Sequence, residues 1–245
     1  PGNYRGLWKL DIGGGALGID TAYAVCNGPG GSSDKVVYNN ALYFRADDGN
    51  SGLELWQSDG DTSFLAVDIF QGNQNNSSAP NHSFPTGLTV YNGNLYFRAD
   101  DGIHGLELWK YDGNTAVMIA DIMSGSSSSI PSDLTVYNGS LYFNAEDANG
   151  RELWKYDGNT AVMVADINTS GSSTPKDLTV YNGSLYFSAA DYVNTPWGNT
   201  NNRELWKYDG TICSVAADIN TSTSIGGSFP NDLAVYNGSL FFAAN

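Results

Sequence analysis

The chain has few cysteines, few basic residues and no long apolar run. Its 245 residues include two cysteines, Cys26 and Cys213. Two are too few for a scaffold built on disulfides, and they fall at different positions of the repeat described below, which favours free thiols. No apolar stretch approaches the roughly 18 residues of a membrane span, so we expect no membrane insertion.

Positive charge is also scarce, since 11 lysines and arginines stand against 26 aspartates and glutamates, a net charge of −15. A surface this acidic repels nucleic acid and anionic lipid, both of which are bound through basic patches. We therefore expect no nucleic-acid partner. The acidity, the low cysteine and lysine content and the Ser/Asn-rich linkers favour a secreted, extracellular or cell-surface protein.

Long helix-forming runs of Ala, Glu, Lys and Leu are absent, whereas glycine and aromatic residues are plentiful, a balance typical of an all-β protein. Two phrases each occur five times. The first occupies Val36–Ala46, Leu88–Ala99, Leu134–Ala145, Leu178–Ala189 and Leu233–Ala244. The second occupies Gly6–Asp11, Glu54–Asp59, Glu107–Asp112, Glu152–Asp157 and Glu204–Asp209. The period of roughly 44 to 55 residues fits four short strands, as in one blade of a propeller.

Each repeat predicts four strands, which we name A to D. "DLTVY" is strand A, "SLYFNA" strand B, "ELWKYD" strand C and "TAVMVADI" strand D. Asn-Gly between A and B predicts a two-residue turn, because both residues tolerate positive φ. The chain begins with strands C and D and ends with strands A and B, so the two halves complete one repeat.

These observations predict an all-β fold, a five-bladed β-propeller of four-stranded antiparallel blades formed by residues 1–245 as a single domain. The N-terminal strands C and D pair with the C-terminal strands A and B and close the ring, which places Trp8 and Phe241 in one sheet. An open array would leave frayed edges. A β-sandwich or an open repeat array is the alternative. The strand C tryptophans are expected in the core: Trp8, Trp56, Trp109, Trp154 and Trp206.

Candidate ligand-binding residues lie on the face that carries the B–C loops and D–A linkers, because the other turns are too short for function. They are Asp48, Asn50, Asp101, His104, Asp147, Asn149 and the exposed Trp197. The carboxylates suited to a metal, with Ca²⁺ as the candidate cofactor, are Asp47, Asp48, Asp100, Asp101, Glu146 and Asp147. The same loops are equally explained as turns built from Asp, Asn and Gly, and Trp197 as packing of its insertion, Asp191–Asn202.

The phrase around Phe97–Gly102, Glu107–Trp109 and Asp112–Gly113 resembles the ELWxxDGT repeat family. The resemblance covers essentially the whole chain and implies extracellular or surface-associated β-propellers, mostly of unassigned activity. The chain departs from the pattern at Gly6, Asn114 and Asn159. The predicted architecture is also similar to that of five-bladed tachylectin-type lectins, an analogy of fold alone.

Similar repeats favour several similar sites, and weak sites on one ring gain avidity for repetitive ligands. We therefore predict a secreted, non-catalytic, lectin-like propeller whose partners are glycans or surface polymers. A structural or adhesive surface module, with possible self-association, is the alternative. A glycoside hydrolase is the third hypothesis. It ranks below the others because a hydrolase has a single catalytic site, whereas these carboxylates recur in each repeat. No nucleophile elbow or Cys/His metal cluster occurs, so no enzymatic activity is expected.

Overall fold

The computed structural model describes residues 7–11, 21–26, 34–74, 78–195, 198–220 and 227–245. All regular structure in these residues is β, and contacts divide the chain into two compact units, Pro1–Met118 and Ile119–Asn245. The prediction of a single domain over 1–245 is not tested by this division. Within the described residues no helix has the length and apolar character needed to cross a membrane.

Four sheets have four strands each, joined in sequence order. The first contains β3 (Lys35–Tyr38), β4 (Ala41–Ala46), β5 (Glu54–Ser58) and β6 (Ser63–Val67). The second contains β7 (Thr86–Tyr91), β8 (Asn94–Asp100), β9 (Leu106–Tyr111) and β10 (Ala116–Ala120). The third contains β11 (Ser132–Tyr137), β12 (Ser140–Asp147), β13 (Gly150–Tyr156) and β14 (Ala161–Ala165). The fourth contains β15 (Lys176–Tyr181), β16 (Ser184–Thr195), β17 (Gly198–Tyr208) and β18 (Cys213–Ala217).

Two further sheets have two strands each, and they correspond to half a repeat. One contains β1 (Leu7–Asp11) and β2 (Thr21–Cys26), and the other β19 (Asn231–Tyr236) and β20 (Ser239–Ala243). The predicted shared sheet is therefore not confirmed, because these strands form two separate sheets. The second hairpin leaves its aromatic residues uncovered: Tyr236 is 67% and Phe241 55% exposed. In the complete sheet of β11–β14, the corresponding Tyr137 and Tyr142 are buried.

The local chemistry of the turns explains the strand order. Asn138 and Gly139 between β11 and β12 have φ of 45° and 71°, so the predicted Asn-Gly hairpin turn is confirmed. Between the third and fourth strands, an aspartate closes the turn on its own backbone. The Oδ1 of Asp157 accepts the N–H groups of Asn159 and Thr160 at 2.8 and 2.9 Å. These short, self-satisfied turns make an antiparallel meander.

Each four-stranded sheet has its core on the second and third strands. The fully buried side chains there include Phe44, Phe97, Phe143, Phe187, Leu55, Leu108 and Leu153. The prediction of buried tryptophans is correct for Trp109, which is 8% exposed, but Trp56, Trp154 and Trp206 are only half-buried. The phenylalanine opposite the tryptophan on the neighbouring strand, as Phe143 is opposite Trp154, is the fully buried aromatic residue of the pair.

The insertion Asp191–Asn202 is not an irregular loop. β16 and β17 continue through it as a paired hairpin, with Asp191 opposite Asn202 and Asn194 opposite Asn199. Trp197 lies outside the described residues. Cys213 on β18 is a free thiol, and burial raises its pKa to about 12, so it remains protonated and unreactive at neutral pH.

Candidate functional site

The glutamate that begins the repeated Glu-Leu-Trp phrase is a buried structural anchor, a role that the sequence analysis missed. Glu152 is fully buried on β13. Its Oε1 accepts the N–H of Ser173 at 2.7 Å, and its Oε2 accepts the Ile167 N–H at 3.0 Å and the Ser173 hydroxyl at 2.5 Å. The carboxylate therefore fixes the linker between β14 and β15 to the third strand of the preceding sheet.

The same anchor is present in two other sheets, formed by Glu54 with Ser83 and by Glu204 with Ser228. The serine also connects consecutive sheets, because the carbonyl oxygen of Ser173 accepts the N–H of Ala190 on β16 at 2.9 Å. Burial raises the pKa of Glu54 to about 7 although three donors oppose the shift. The sequence does show a Glu and a Ser that recur in successive repeats at a variable separation, and this recurrence could have identified the pair.

In the predicted loop site of the first four-stranded sheet, carboxylates bind their own backbone. The Oδ1 of Asp48 accepts the N–H groups of Asn50 and Ser51 at 2.9 and 2.7 Å, and these bonds lower its pKa against the effect of burial. The Oδ1 of Asp47 accepts the Gly49 N–H at 2.7 Å. Both aspartates therefore build the turn, the alternative that the sequence left open.

The next two sheets repeat this arrangement. The Oδ1 of Asp101 accepts the Ile103 and His104 N–H groups at 2.9 Å each, and its Oδ2 lies 2.8 Å from His104 Nδ1. Asp100 accepts the Gly102 N–H at 2.6 Å. In the third four-stranded sheet, Asp147 accepts the N–H of Asn149 at 2.8 Å and its Nδ2 at 3.1 Å, while Glu146 pairs with Arg151 at 3.3 Å.

Each pair of predicted metal ligands stays within its own loop: Asp47 with Asp48, Asp100 with Asp101, and Glu146 with Asp147. Across the described part of the chain, no group of three or more His, Cys, Asp or Glu side chains could hold a metal ion. Calcium binding remains a prediction from sequence without structural support. The proposed sugar contacts at Asn50, His104 and Asn149 likewise remain predictions.

A second set of carboxylates, which the sequence analysis did not select, lies at the first strands of the sheets. They are Asp34, Asp133, Asp177 and Asp232, and Gly87 occupies the equivalent position in β7. Three of them cap the following first strand: Asp34 Oδ2 accepts the Gly87 N–H at 2.8 Å, and Asp177 Oδ2 accepts the Asp232 N–H at 3.3 Å. The N–H of Asp177 donates in the same way to Asp133.

Backbone strain accompanies these carboxylates. Asp133, Asp177 and Asp232 have φ of 57°, 57° and 55°, and Ile130 and Thr174, each just before a proline, have φ of 47° and 46°. Positive φ is especially costly for β-branched residues, so the surrounding structure must hold these segments in place.

Between β11 and β15 the first-strand carboxylates border a polar cleft of about 300 Å³. It is lined by Ser132, Asp133, Asn144, Arg151, Thr174, Lys176 and Asp177. Asn144, 2% exposed, organises the cleft. Its Oδ1 accepts from Ser132 Oγ at 2.9 Å and Arg151 Nη1 at 2.7 Å, and its Nδ2 donates to Asp133 Oδ2 at 2.8 Å and to the Pro175 carbonyl at 3.0 Å.

The two carboxylates of this cleft have different surroundings. Burial raises the pKa of Asp133, and the negative charge of Asp177 adds to the shift, although hydrogen bonds from Asn144 and Ser132 oppose it. Asp177 lies near Arg203, where its negative charge favours the protonated guanidinium that burial otherwise disfavours. One carboxyl group is therefore biased toward its protonated form and its neighbour faces a cation, as in sites that combine a proton donor with a base.

The other repeats have different residues at two positions that line this cleft. The position of Asn144 is Arg45, Arg98, Ser188 or Ala243 elsewhere, and the position of Lys176 is Ser33, Thr86, Ser132 or Asn231. The recurring aspartate was visible in the sequence as the start of "DLTVY", but it was assigned only to strand A. Asn144 and Arg151 join it from the next two strands of the same sheet, and Asp177 comes from the next sheet.

Comparison with known proteins finds chains of similar fold among the solved structures. No protein-family profile and no curated protein matches the chain. Solved structures that are similar include the β-propeller domain of the Trilobed protease from Pyrococcus furiosus, with 11% identity and a TM-score of 0.38 over 82% of this chain and 74% of that one. A GH43 endo-arabinanase from Bacillus licheniformis matches with 17% identity and a TM-score of 0.37 over 86% of each chain.

A GH74 xyloglucanase from Xanthomonas campestris matches with 16% identity and a TM-score of 0.49 over 81% of this chain. The chain spans 32% of that protein's length. At these identities the likeness concerns the fold alone. With the sheet arrangement, it is in keeping with four-stranded blades of the β-propeller type.

The prediction of a non-catalytic, lectin-like propeller is wrong by this comparison, because the neighbours named here include two glycoside hydrolases and a protease domain and no lectin. The loop carboxylates that were expected to accept sugar hydroxyls use their oxygens on their own backbone, as Asp48 and Asp101 do. The expectation of no enzymatic activity stays a prediction, because likenesses at these identities concern the fold alone.

Proposed function

We propose that the chain is a hydrolase of glycosidic bonds that acts at the cleft between β11 and β15. The observation that carries the proposal is the pairing of Asp133 and Asp177, two neighbouring carboxyl groups with different electrostatic surroundings in one polar cleft. Hydrolysis of a glycosidic bond requires one carboxyl group that donates a proton and a second that acts as base or nucleophile.

In this proposal Asp133 is the proton donor and Asp177 the base. Burial raises the pKa of Asp133, which favours the protonated form that can donate to the leaving oxygen. The Asp177 carboxylate takes a proton from the attacking water, and the guanidinium of Arg203 lies nearby. Lys176 supplies a donor for substrate hydroxyl groups, and Asn144 holds Asp133 in position at 2.8 Å.

The architecture proposed with this function is a closed ring of five blades. It is supported by the strand registers, because each two-stranded sheet has the irregularity of the half-repeat to which it corresponds. The register of β1 and β2 shifts between Leu7 and Trp8, as that of β13 and β14 shifts between Leu153 and Trp154. The register of β19 and β20 shifts between Asn231 and Ala234, as that of β11 and β12 does at the equivalent residues. Pairing of the two hairpins would cover Phe241.

The experiment is reducing-sugar release from arabinan, xyloglucan and β-1,3-galactan by the wild type, Asp133→Asn and Asp177→Asn. We expect hydrolysis of at least one polysaccharide and a loss of activity of at least about 100-fold in both variants, because each removes a proton-transfer group. Asp232→Asn is the matched control, since Asp232 occupies the same strand position with the same positive φ. Its activity should be unchanged.

Two results would overturn the proposal. The first is wild-type activity that survives in Asp133→Asn. The second combines two observations. The wild type hydrolyses none of the polysaccharides, and Asp34→Asn, Asp133→Asn and Asp177→Asn lower the melting temperature by equal amounts. That pattern would assign the carboxylates to strand capping alone.

A further inference from the structure

A histidine joins the linker between β6 and β7 to the loop that precedes β5. The Nδ1 of His82 accepts the N–H of Leu53 at 2.8 Å. The carbonyl oxygen of Leu53 in turn accepts the N–H groups of Ser83 and Phe84 at 3.1 and 3.2 Å. None of these residues lines the cleft between β11 and β15, so the contact is independent of the proposed hydrolysis.

The contact depends on the protonation state of the imidazole ring. A ring nitrogen that accepts a hydrogen bond carries no hydrogen, so the neutral ring of His82 has its hydrogen on Nε2. A protonated imidazole has an N–H at both nitrogens and no acceptor. Protonation therefore replaces the hydrogen bond by two donors that face each other, the Nδ1–H of His82 and the N–H of Leu53.

Loop and linker are packed directly against each other at this point. A Cβ placed on Gly52, which is buried, would overlap the carbonyl oxygen of Asn81 and lie 2.7 Å from the Nδ1 of His82. The φ of Gly52 is 77°, a conformation that glycine adopts without strain. A water molecule that replaced the imidazole as acceptor for the Leu53 N–H would have to push the two segments apart.

The equivalent contact in another sheet uses a group that does not titrate. In the third four-stranded sheet, the Oγ of Ser172 accepts the N–H of Arg151 at 2.9 Å. His82 and Ser172 each directly precede the serine that bonds the buried glutamate of their sheet. The corresponding residues of the other two linkers are Ser128 and Gly227. Among these four linker positions, only that of His82 carries an acceptor that gains a proton in mild acid.

The second histidine of the chain responds to acid differently. The Nδ1 of His104 lies 2.8 Å from the Oδ2 of Asp101. A carboxylate accepts a hydrogen bond from a charged imidazole, so protonation of His104 preserves this contact. The chain has two histidines, and His82 is the one whose contact is broken by a proton.

Several charged side chains lie on the loop, strands and linker that meet at this contact. They are Asp47, Asp48, Glu54, Asp68, Arg98 and Asp100. All except Arg98 are carboxyl groups, and their negative charge favours a protonated imidazole. The Leu53 N–H favours the neutral ring, because only the neutral ring can accept its hydrogen bond. The two influences oppose each other, as a contact that responds to pH requires.

We propose that the contact between His82 and Leu53 is a pH-sensitive latch. With a neutral ring it holds the loop of residues 47–53 on the linker, and with a protonated ring the two segments separate. The buried glutamate of the sheet still binds Ser83, so the strands stay paired. His82 also borders a cleft of about 660 Å³, which widens when the latch opens.

The experiment is residue-resolved amide hydrogen exchange of the full chain at about pH 8 and about pH 5, the range in which histidines change charge. Protection factors are compared, because they remove the intrinsic effect of pH on exchange. We expect the protection of the Leu53 amide to fall at least about fivefold at the lower pH, since one hydrogen bond is lost. The Arg151 amide, bonded to Ser172, is the internal control and should keep its protection.

Three variants assign the effect to His82. His82→Ser supplies the acceptor that the third four-stranded sheet uses, and its Leu53 amide should be protected equally at both pH values. Glu54→Gln removes the neighbouring carboxyl group, whose pKa burial raises to about 7, and should leave the fall at Leu53 in place. His104→Gln should also leave it in place. Imidazole nitrogen chemical shifts follow the protonation of each histidine in the same samples.

Three results would overturn the proposal. The first is an unchanged protection of the wild-type Leu53 amide at about pH 5, which requires no variant. The second is an equal fall in folded His82→Ser. The third is a fall that disappears in Glu54→Gln, which would assign the response to the buried glutamate. None of these results bears on polysaccharide hydrolysis.

Discussion

The buried carboxylate of Glu152 offers the sharpest test of how the sheets are joined. Glu152→Ala leaves three donors without their acceptor: the N–H groups of Ser173 and Ile167 and the Ser173 hydroxyl. Each unsatisfied buried donor costs roughly 1–3 kcal/mol, and the hydroxyl can rotate toward another partner. We therefore expect the variant to lose about 3–6 kcal/mol, a large part of the total stability of a typical protein.

Thermal unfolding followed by circular dichroism measures this loss. For a chain of this size, 1 kcal/mol corresponds to roughly 2–4 °C, so the midpoint should fall by roughly 6–24 °C. Ser173→Ala removes one hydrogen bond while leaving the carboxylate bonded to two N–H groups, and should cost about 1 kcal/mol. Glu146→Ala is the control, because its partly exposed ion pair with Arg151 contributes at most about 1 kcal/mol.

Glu152→Ala should be the most destabilised variant and Ser173→Ala the next. Glu146→Ala should lose no more stability than Ser173→Ala. A midpoint of Glu152→Ala within 2 °C of the Glu146→Ala value would refute the reasoning. It would mean that the linker donors find water or other acceptors when the carboxylate is removed.

Three further predictions concern the same sheets. Because burial raises the pKa of Glu54 from 4.5 to about 7, its contribution to stability is fully present below pH 4.5 and is lost as pH rises to about 7. The loss is about 3 kcal/mol and can be measured by urea unfolding between these pH values. In Glu54→Gln the stability should change less with pH over this range. A wild type that gains stability in this interval would contradict the raised pKa of Glu54. Gly102→Ala should lower the melting temperature more than Gly49→Ala. Both glycines have positive φ, but an added Cβ meets the Phe70 ring at Gly102 and nothing within 4 Å at Gly49; equal shifts would contradict the close packing. Asn144→Ala should cost about 2–4 kcal/mol in chemical denaturation because four hydrogen bonds are lost, whereas a cost below 1 kcal/mol would mean that the cleft rearranges freely.

The repeat gave enough information for the strands and turns. Hydrophobic alternation and the Asn-Gly pair predicted the hairpin at Asn138, because its chemistry is local and needs only two residues with positive φ. The Asp-Gly turn at Asp157 follows from the same local rules. Closure of the ring did not follow in this way, since it requires pairing between strands at opposite ends of the sequence.

The candidate site was harder to predict than the fold. Sequence analysis selected Asp48 and Asp101 because exposed acidic loops often bind ligands, but one oxygen of each carboxylate already accepts neighbouring backbone N–H groups. It overlooked Asp133, whose surroundings depend on Asn144 from the next strand and Asp177 from the next sheet. Such a cleft is created by tertiary packing, and a periodic pattern in one chain segment does not encode it.

The anchor between strand and linker has a consequence for engineering. Glu54 and Ser83 are 29 residues apart, whereas Glu152 and Ser173 are 21 apart and Glu204 and Ser228 are 24 apart. The length of the intervening segment therefore varies while the clamp at its two ends stays the same. Foreign peptides inserted into the linker between the isoleucine and the serine that bond each glutamate should be tolerated, which makes these linkers natural positions for displaying an epitope.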